Sequence, residues 1–464
     1  MSWLNRLQRL RVSRPMKELK LKPWRSIPPQ TPQGVLLAPR VNQTHREASG
    51  PFASRLLEEQ QRLEAELIGK PTFSSWFSSL FDRSRTDSLS RPLKVGLIGI
   101  HGWALLGGAL DPASTESSDR YCQRFEQALR QHPKFSNAQV LVIPLVGHGF
   151  IERRVEKYIS DHLVNFKDAI QGLDFFIVIG HSQGAVVGTL LLHNLLESQW
   201  TSPACRVGFL SLSGVFLGPF AGTPTDFWPA TKELFVLSQP YSAISIKVKT
   251  AMVSLLDRGV QVAMFTSWRD EVVPLFSGTF QTIPSRKNLL RGIYVPVTSF
   301  QEGVDEFLVK LVSSLILLQN HSIDIHDSLF HLSGLIRGSI LTAKAQRSHT
   351  LIHFDAGIYS EAVHWICGKR SGHNSPEGTS SSRFGYGGLW SEKFSDAFFA
   401  SSLNLFLLKM SLEDTYDKTK RKEILGIRKQ LEESFAVWQP KSHSDKVLRS
   451  WLGPLFQRAH VSKL

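Results

Sequence analysis

The sequence predicts an α/β fold in which a doubly wound, mostly parallel β-sheet is covered by helices on both faces. Short apolar runs of the kind that form buried parallel strands alternate along the chain with longer amphipathic stretches of helical period. One apolar run, residues 174–179, passes through Gly180-His181-Ser182-Gln183-Gly184 directly into an apolar helical stretch. With 464 residues, 42% of them hydrophobic and 20% charged, the chain is long enough for one large core with extensions rather than two full domains.

The predicted elements follow in chain order. Strands are expected over residues 94–100, 139–144, 174–179, 206–215 and 260–265. Helices are expected over residues 116–131, 151–171, 302–319, 325–340, 394–410 and 419–437, and around the apolar positions Ile358, Ala362, Val363 and Ile366. Because ligands bind at the carboxyl ends of the strands in such a sheet, functional side chains are expected in the loops that follow the strands.

The cysteine and charge content narrows the classes of function. The three cysteines, Cys122, Cys205 and Cys367, are scattered, so reduced thiols are expected, with no disulfide framework and no zinc site. No apolar run has the length and character of a transmembrane helix. No cofactor is expected, because the sequence contains no phosphate-binding loop or dinucleotide fingerprint. The net charge of +14 does not indicate a nucleic-acid partner, since half of the excess falls within residues 1–30.

Ser182 is the predicted nucleophile. It lies between a strand and a helix, in a turn so sharp that the residues two before and two after it must lack bulky side chains. Gly180 and Gly184 meet that requirement. The alternative is a glycine-rich turn in which the serine only caps the helix.

This segment resembles the nucleophile elbow of the α/β-hydrolases, and the resemblance extends over about residues 91–368. It implies the α/β-hydrolase fold. It also implies that a carboxylate and a histidine assist the serine and follow it in the order Ser, Asp or Glu, His. Such assistance is needed because an isolated serine hydroxyl is a weak nucleophile at neutral pH.

The resemblance implies that the acid is Asp270. A β-branched and apolar strand over residues 260–265 is followed by a short turn and by Asp270-Glu271-Val272-Val273-Pro274, which resembles the family's strand-loop-Asp-x-Val-x-Pro element. An aspartate that caps a helix or forms a turn is the structural alternative. Glu271 is the other candidate acid, although its side chain is expected to point the other way.

The base is expected at His349. In the family, the histidine precedes the apolar start of the final helix by about ten residues, and His349 lies ten residues before Tyr359. Among the sixteen histidines, His353 and His364 are the alternatives that also fall late enough in the chain.

The oxyanion hole is expected to use two backbone N–H groups. By the same resemblance, one belongs to Gln183, the residue after the nucleophile. The other belongs to Trp103, which follows a strand that ends in His101-Gly102. A plain turn at the end of a strand is the alternative for His101-Gly102.

A closer resemblance is to a set of little-characterised fungal α/β-hydrolase-like proteins. It rests on Arg291-Gly-Ile-Tyr-Val295, which corresponds to a strand, and on His349-Thr-Leu-Ile352. In those proteins both segments follow the acid and are separated by a helical insertion. This resemblance brings no known substrate.

The region before the expected hydrolase domain divides into two segments. Residues 1–30 form a basic segment with arginines among apolar residues and no acid before Glu18, a pattern typical of a mitochondrial transit peptide. The alternatives are a cytoplasmic protein or a basic tail that touches an anionic membrane. Residues 31–90 are expected to form a linker, which is proline-rich up to Pro51, and then amphipathic helices.

The hydrolase domain is expected at residues 91–368, with insertions at about 214–250 and 299–340. Residues 369–464 are expected to form a linker and a C-terminal helical extension. The last apolar stripe of this extension, at positions between 447 and 456, leaves peripheral contact with a membrane open. Pro454 argues against a continuous helix there.

The function implied by the resemblance is that of a serine hydrolase. It would cleave a carboxylic ester or thioester through an acyl-enzyme, and the apolar insertions favour a lipid-like substrate. Two alternatives stay open, a serine peptidase and a catalytically silent scaffold with the hydrolase fold.

Overall fold

A seven-stranded sheet forms the centre of the described part of the chain. The computed structural model describes residues 34–37, 91–102, 112–221, 229–296, 306–320, 325, 328–337, 348–368, 418–440 and 443–457. All of them belong to the unit Pro32–Leu464. The strands are β1 (Gly34–Leu37), β2 (Lys94–Ile100), β3 (Gln139–Leu145), β4 (Phe175–His181), β5 (Arg206–Leu212), β6 (Gln261–Ser267) and β7 (Leu289–Pro296).

The strand order is β1-β7-β6-β5-β4-β2-β3. Strands β2 to β7 pair in parallel, and β1 pairs antiparallel with β7, so that Val35 lies opposite Val295. Since β3 and β4 lie on opposite sides of β2, the winding direction reverses at this point. In open α/β sheets the crevice at such a reversal is where ligands bind. The loops that follow β2 and β4 border this crevice, and they contain His101 and Ser182.

The connections between the strands are mainly helical. The helices are α1 (Pro112–Gln131), α2 (Ile151–Lys157), α3 (Lys167–Gln171), α4 (Gln183–Glu197), α5 (Pro229–Val236), α6 (Ala243–Asp257), α7 (Leu275–Gly278), α8 (Glu306–Asn320), α9 (Ser328–Leu335), α10 (Ser348–Leu351), α11 (Ala356–Cys367), α12 (Lys418–Val437) and α13 (His443–Gln457). No helix of the described residues is long and apolar enough to cross a membrane.

Helices cover both faces of the sheet. Successive side chains of a strand point to opposite faces, and in β4 both sets are apolar. Phe176 and Val178 pack with apolar residues of α2, α4 and α6, whereas Phe175, Ile177 and Ile179 pack with those of α1 and α11. This two-sided burial explains why β4 is a continuous apolar run, and it confirms the predicted α/β fold class.

The insertion after β7 and the C-terminal helices form a third apolar cluster. Residues of α8 and α9 pack there with residues of α12 and α13. Leu448, Leu452 and Phe456 of α13 are buried in this cluster, so that face of the helix packs on the protein itself.

Pro454 lies inside α13, so the expectation that it prevents a continuous helix is wrong. Proline removes one backbone hydrogen bond, but here it does so near the end of a helix whose apolar face is buried. Burial of large side chains such as Leu452 and Phe456 outweighs that loss.

Two other expectations are corrected. Residues 34–37 fall in the expected linker, yet they form β1, and their backbone groups pair with those of β7. Residues 151–171 do not form one continuous α-helix. A π-helical segment (Tyr158–Leu163) and a 3-10 segment (Val164–Phe166) separate α2 from α3, and such interruptions often lie near functional sites.

Several expectations fall outside the described residues. They concern the basic segment 1–30, the helices before residue 91, the linker after residue 368, the helix over residues 394–410, and Trp103. The predicted helices over residues 302–319 and 325–340 correspond to α8 and to the shorter α9.

Candidate active site

Ser182 lies at the sharp turn between β4 and α4. Its backbone has φ 56° and ψ −123°, a conformation that residues other than glycine rarely adopt. The side chain forms no cap hydrogen bond with α4, so the serine does not serve as a helix cap. The strained backbone instead presents the hydroxyl at the carboxyl end of the sheet, as a nucleophile elbow does.

Close backbone contacts require glycine on both sides of Ser182. A Cβ atom at residue 180 would lie 2.5 Å from the carbonyl oxygen of Gly184, and one at residue 184 would lie 2.3 Å from the carbonyl oxygen of Ile100. Real Cβ atoms do not approach backbone atoms so closely. The spacing of Gly180 and Gly184 is therefore a steric requirement of this turn.

Asp270 lies in the loop after β6 and is 3% exposed. Its Oδ1 accepts hydrogen bonds of 2.8 Å from the backbone N–H groups of Val272 and Val273. Its Oδ2 lies 2.8 Å from Nδ1 of His349, which makes this buried pair an aspartate–histidine hydrogen bond. The turn thus fixes one carboxylate oxygen and directs the other to the imidazole.

His349 lies in α10 and is 8% exposed. Burial alone lowers the pKa of His349, but the charge and hydrogen bond of Asp270 and the nearby charge of Glu271 outweigh this effect, so the pKa is raised. Since Nδ1 is engaged by Asp270, Nε2 is the nitrogen left to accept a proton.

The structure does not join the two alternative histidines to Asp270. His353 has an unpartnered Nδ1, and burial holds its pKa well below the usual range. His364 lies on α11 with its ring 5.7 Å from that of His132. The structure therefore brings His349 together with Asp270, while its role as the base stays a prediction.

Glu271 does not point away from this region, so that expectation is wrong. Its Oε1 accepts a 2.8 Å hydrogen bond from the backbone N–H of Ser348, and its Oε2 accepts one of 3.1 Å from the N–H of His349. Strict alternation of side chains does not apply here, because the residues follow the end of β6 and Arg269 has φ 49°. Burial, and then the charge of Asp270, raise the pKa of Glu271.

His181, the residue before the serine, bonds to the backbone carbonyl group of His349. Its Nε2 lies 2.8 Å from the carbonyl oxygen of His349, to which it donates. Burial, together with the charge of His349, lowers the pKa of His181 to about 3, so its ring is neutral near pH 7. Because His181 and Ser182 are consecutive, this bond holds α10 against the elbow.

The other side of Ser182 is formed by the turn after β2. A Cβ atom at residue 102 would lie 2.8 Å from Cβ of Ser182, so the His101-Gly102 turn packs directly against the serine. The ring of His101 accepts a 3.2 Å hydrogen bond at Nε2 from the N–H of Gly147, and its Nδ1 donates to the carbonyl oxygen of Gly102 at 2.6 Å. Burial, followed by the charge of Arg154, lowers the pKa of His101 to about 3.

Gln183 is fully buried and begins α4. The first N–H groups of a helix have no acceptor within the helix, so the backbone N–H of Gln183 is suited to bind an oxyanion. The second predicted donor, Trp103, lies outside the described residues. The oxyanion hole therefore stays a prediction.

Arg154 of α2 is a buried arginine on this same side and is 2% exposed. It donates to Oε1 of Gln183 at 2.7 Å, to the carbonyl oxygen of His101 at 2.9 Å, and to the hydroxyl of Tyr158 at 2.9 Å. These acceptors are neutral. The guanidinium thus connects the two chain segments from which the oxyanion donors are predicted.

Sequence reasoning missed Arg154 and His181, and it misjudged Glu271. His181 and Glu271 are chain neighbours of the predicted nucleophile and acid, which is the only signal the sequence offered for them. Arg154 follows Arg153 in an amphipathic stretch, and only burial distinguishes the two arginines.

Among the described residues, no group of three or more His, Cys, Asp or Glu side chains is arranged to hold a metal ion. Cys122, Cys205 and Cys367 are free thiols. Burial raises the pKa of Cys205 and of Cys367 to about 12, so neither is poised as a thiolate nucleophile.

The elbow serine stands where the sheet reverses its winding. A histidine bonded to an aspartate from a later loop is held by a hydrogen bond from His181, the residue before the serine. This combination of fold and site defines the α/β hydrolases as a class. The chain belongs to the family of the YMC0/YMC35 alpha/beta hydrolase domain, whose model matches residues 79–381, more than half of the chain. The predicted resemblance to α/β-hydrolases is confirmed, while the closer resemblance to fungal members stays a prediction.

Solved structures of other proteins are similar to parts of the chain. Phospholipase PlaB from Legionella pneumophila is 15% identical with a TM-score of 0.29, and the match covers 44% of this chain and 50% of that one. The chain thus spans about half the length of that phospholipase. Est1E from Butyrivibrio proteoclasticus is 15% identical with a TM-score of 0.27, over 48% of this chain and 88% of the other.

A third similar structure is the peroxisomal alpha-beta-hydrolase Lpx1 from Saccharomyces cerevisiae. It is 12% identical with a TM-score of 0.29, and the match covers 57% of this chain and 81% of that one. No curated protein matches the chain in sequence.

Proposed function

We propose that the chain is a serine hydrolase that cleaves a carboxylic ester or thioester, with Ser182 as nucleophile, His349 as base and Asp270 as the acid that orients it. The observation that carries this proposal is the 2.8 Å hydrogen bond between Nδ1 of His349 and Oδ2 of Asp270. It favours the tautomer in which Nδ1 carries the proton, which leaves Nε2 to accept the proton of Ser182.

The first half of the reaction forms an acyl-enzyme. Nε2 of His349 takes the hydroxyl proton of Ser182 while Oγ bonds to the substrate carbonyl carbon, and the carbonyl electron pair moves to its oxygen. The backbone N–H of Gln183 donates to that oxyanion. When the C–O or C–S bond to the leaving group breaks, the departing alkoxide or thiolate takes the proton from His349.

The second half releases the acid. A water molecule gives one proton to Nε2 of His349 and adds its oxygen to the acyl carbon. The bond to Oγ of Ser182 then breaks, and Oγ takes the proton back from His349. The carboxylic acid leaves, and the serine and the histidine return to their starting states.

A lipid-like acyl group is the proposed substrate class. The apolar residues of the two insertions in the sequence support it, although Phe216 of the first insertion stacks on Phe280 at 4.6 Å and therefore packs in the core. Hydrolysis of p-nitrophenyl esters of increasing acyl length tests the proposal. Higher kcat/KM for medium or long chains than for acetate is expected, and a monotonic decline from acetate would contradict a lipid-like substrate.

Replacement of the nucleophile tests the hydrolase function itself. Ser182→Ala is expected to abolish p-nitrophenyl butyrate turnover, because the oxyanion hole cannot replace the attacking oxygen. Ser198→Ala changes an exposed serine at the other end of α4 and is expected to keep wild-type turnover. A folded wild-type protein without turnover of any ester would favour the silent scaffold, and activity on peptides alone would favour a peptidase.

A further inference from the structure

The backbone of His349 is held by the chain neighbours of the proposed nucleophile and acid. Oε2 of Glu271 accepts the N–H of His349 at 3.1 Å, and Oε1 accepts the N–H of Ser348 at 2.8 Å. On the opposite side, Nε2 of His181 donates to the carbonyl oxygen of His349 at 2.8 Å. The imidazole is held separately, by Asp270.

The helix that carries His349 has little support of its own. α10 is a single turn, Ser348–Leu351, and one helical turn is not stable by itself. Its first N–H groups have no acceptors within the turn. The carboxylate of Glu271 accepts two of these groups at once.

Burial of the Glu271 carboxylate costs free energy unless hydrogen bonds compensate for the loss of water. The residue is 8% exposed, and a carboxylate removed from water is stable only when its oxygens are hydrogen-bonded. Both oxygens of Glu271 are used on backbone N–H groups of α10. The buried carboxylate therefore holds one short segment in place, namely α10, which carries the proposed base.

We propose that Glu271 is a positioning residue of the active site, which fixes the backbone of α10 so that the imidazole of His349 bridges Asp270 and Ser182. This inference rests on the proposed function. Glu271 acts through His349 and contacts no substrate. Its consecutive position with Asp270 means that one loop after β6 holds both the ring and the backbone of the base.

Two substitutions separate the contribution of the hydrogen bonds from that of the side chain as a whole. Glu271→Gln keeps one carbonyl oxygen that can accept an N–H but loses the second acceptor and the charge, whereas Glu271→Ala loses both acceptors. We expect kcat/KM for p-nitrophenyl butyrate to fall roughly 10- to 100-fold in Glu271→Ala and less in Glu271→Gln, mainly through kcat. Circular dichroism and thermal melting establish that both variants are folded.

The matched control is Asp174→Asn. Asp174 also accepts a backbone N–H, that of Lys94 at 2.8 Å, but it precedes β4 at the amino end of the sheet, opposite to Ser182. Its replacement removes a carboxylate without touching α10. We expect wild-type kcat/KM from this variant, and a loss equal to that of Glu271→Ala would overturn the positioning role.

The pH profile gives a readout that a purely structural role would not change. Within the described residues, the titratable groups that face His349 are Asp270 and Glu271 from the loop after β6, His181 from β4, and His353 from the turn after α10. Both facing histidines have lowered pKa values and are neutral near pH 7. Since Glu271 helps to raise the pKa of His349, the acid limb of kcat/KM should move to lower pH in Glu271→Gln.

Carbon-13 NMR of the histidine rings tests the same effect without any substrate. The His349 signal is assigned by its loss in His349→Gln, and its titration is compared between wild type and Glu271→Gln. A lower His349 pKa in the variant supports the proposal, and an unchanged titration overturns it. An inactive wild type would overturn the proposed function alone, whereas an active wild type with undiminished Glu271→Ala would overturn only the positioning role.

Discussion

The two sides of Ser182 differ in charge and in construction. On the side of the base, Asp270 and Glu271 form a buried acidic pair whose bonds converge on His349. On the oxyanion side, the buried Arg154 bonds only to neutral acceptors of the described residues, including Gln183. In the proposed reaction, negative charge therefore lies beside His349, which becomes a cation, and positive charge lies behind the predicted oxyanion donors, which meet an anion.

Each side of Ser182 is stabilised by a different kind of contact. The acidic side depends on direct bonds to His349, so its disruption should alter the proposed proton acceptor itself. The basic side acts one step away from the chemistry, through the Gln183 side chain and the His101 carbonyl. Substitutions on the two sides should therefore differ in magnitude and in pH dependence.

Among substitutions of the residues that support Ser182 and His349, the largest effect is expected from Asp270→Asn. The amide keeps an oxygen for the N–H groups of Val272 and Val273, but it no longer stabilises the protonated imidazole of His349. We expect kcat/KM for p-nitrophenyl butyrate to fall about 10⁴-fold. Asp257→Asn, at the exposed end of α6, is the control and should retain wild-type turnover. A loss smaller than about tenfold would show that Asp270 does not orient the base.

A smaller effect is expected from Arg154→Met. Loss of the guanidinium leaves Oε1 of Gln183 and the carbonyl oxygen of His101 without their donor, so the predicted oxyanion segments should loosen. We expect kcat/KM to fall about 10- to 100-fold, less than the roughly 100- to 1,000-fold cost of an oxyanion donor itself. The free energy of unfolding should fall by about 1–3 kcal/mol for each buried acceptor left unpaired.

Arg153→Met is the matched control, because Arg153 is the exposed neighbour on the same helix. It should leave both turnover and thermal stability unchanged. Equal losses of turnover in the two variants would mean that α2 contributes only its positive charge, and that the hydrogen bonds of Arg154 have no specific role.

Substitutions on the two sides of Ser182 should also differ in their effect on the pH dependence of kcat/KM. His349 accepts a proton only when neutral, so kcat/KM should rise with pH through its pKa, which lies above the ordinary value for histidine. Asp270→Asn removes a negative neighbour of the imidazolium and should move this limb to lower pH. Arg154→Met should reduce the rate at all pH values without moving the limb. Movement of the limb in Arg154→Met would contradict the separation of the two sides.

The smallest effect is expected from His353→Gln. His353 is buried near His181, but it is not bonded to Asp270 and its Nδ1 has no partner. Most of the wild-type kcat/KM should remain when p-nitrophenyl butyrate hydrolysis is measured. A loss of orders of magnitude, of the size expected when a general base is removed, would transfer the role of base to His353.

Those features could be predicted from the sequence for which a short stretch of residues indicates one structure. The continuous apolar run of β4 required burial on both faces, and Gly180 and Gly184 required a tight turn around Ser182. The resemblance to the α/β-hydrolases implied Asp270, from its place after a strand, and His349, from its distance to the predicted final helix. These patterns depend on residues near each other in the chain.

The remaining features depend on contacts between distant segments. Arg154 lies 29 residues before Gln183, its partner, and nothing in its own surroundings separates it from the exposed Arg153. Glu271 was assigned the wrong direction because its partners, 77 and 78 residues later, belong to a separate helix. Pro454 argued against a continuous helix because the apolar cluster that buries α13 is not visible in the helix's own sequence.

The central claim is that Ser182 is a nucleophile activated by His349, and mapping of a fluorophosphonate adduct tests it most directly. The protein is treated with the probe and digested, and the modified peptide is identified by mass spectrometry. We expect a single adduct on Ser182 in the wild type, none in Ser182→Ala, and labelling slowed by orders of magnitude in His349→Ala. An adduct on another residue, or undiminished labelling of Ser182→Ala, would contradict it.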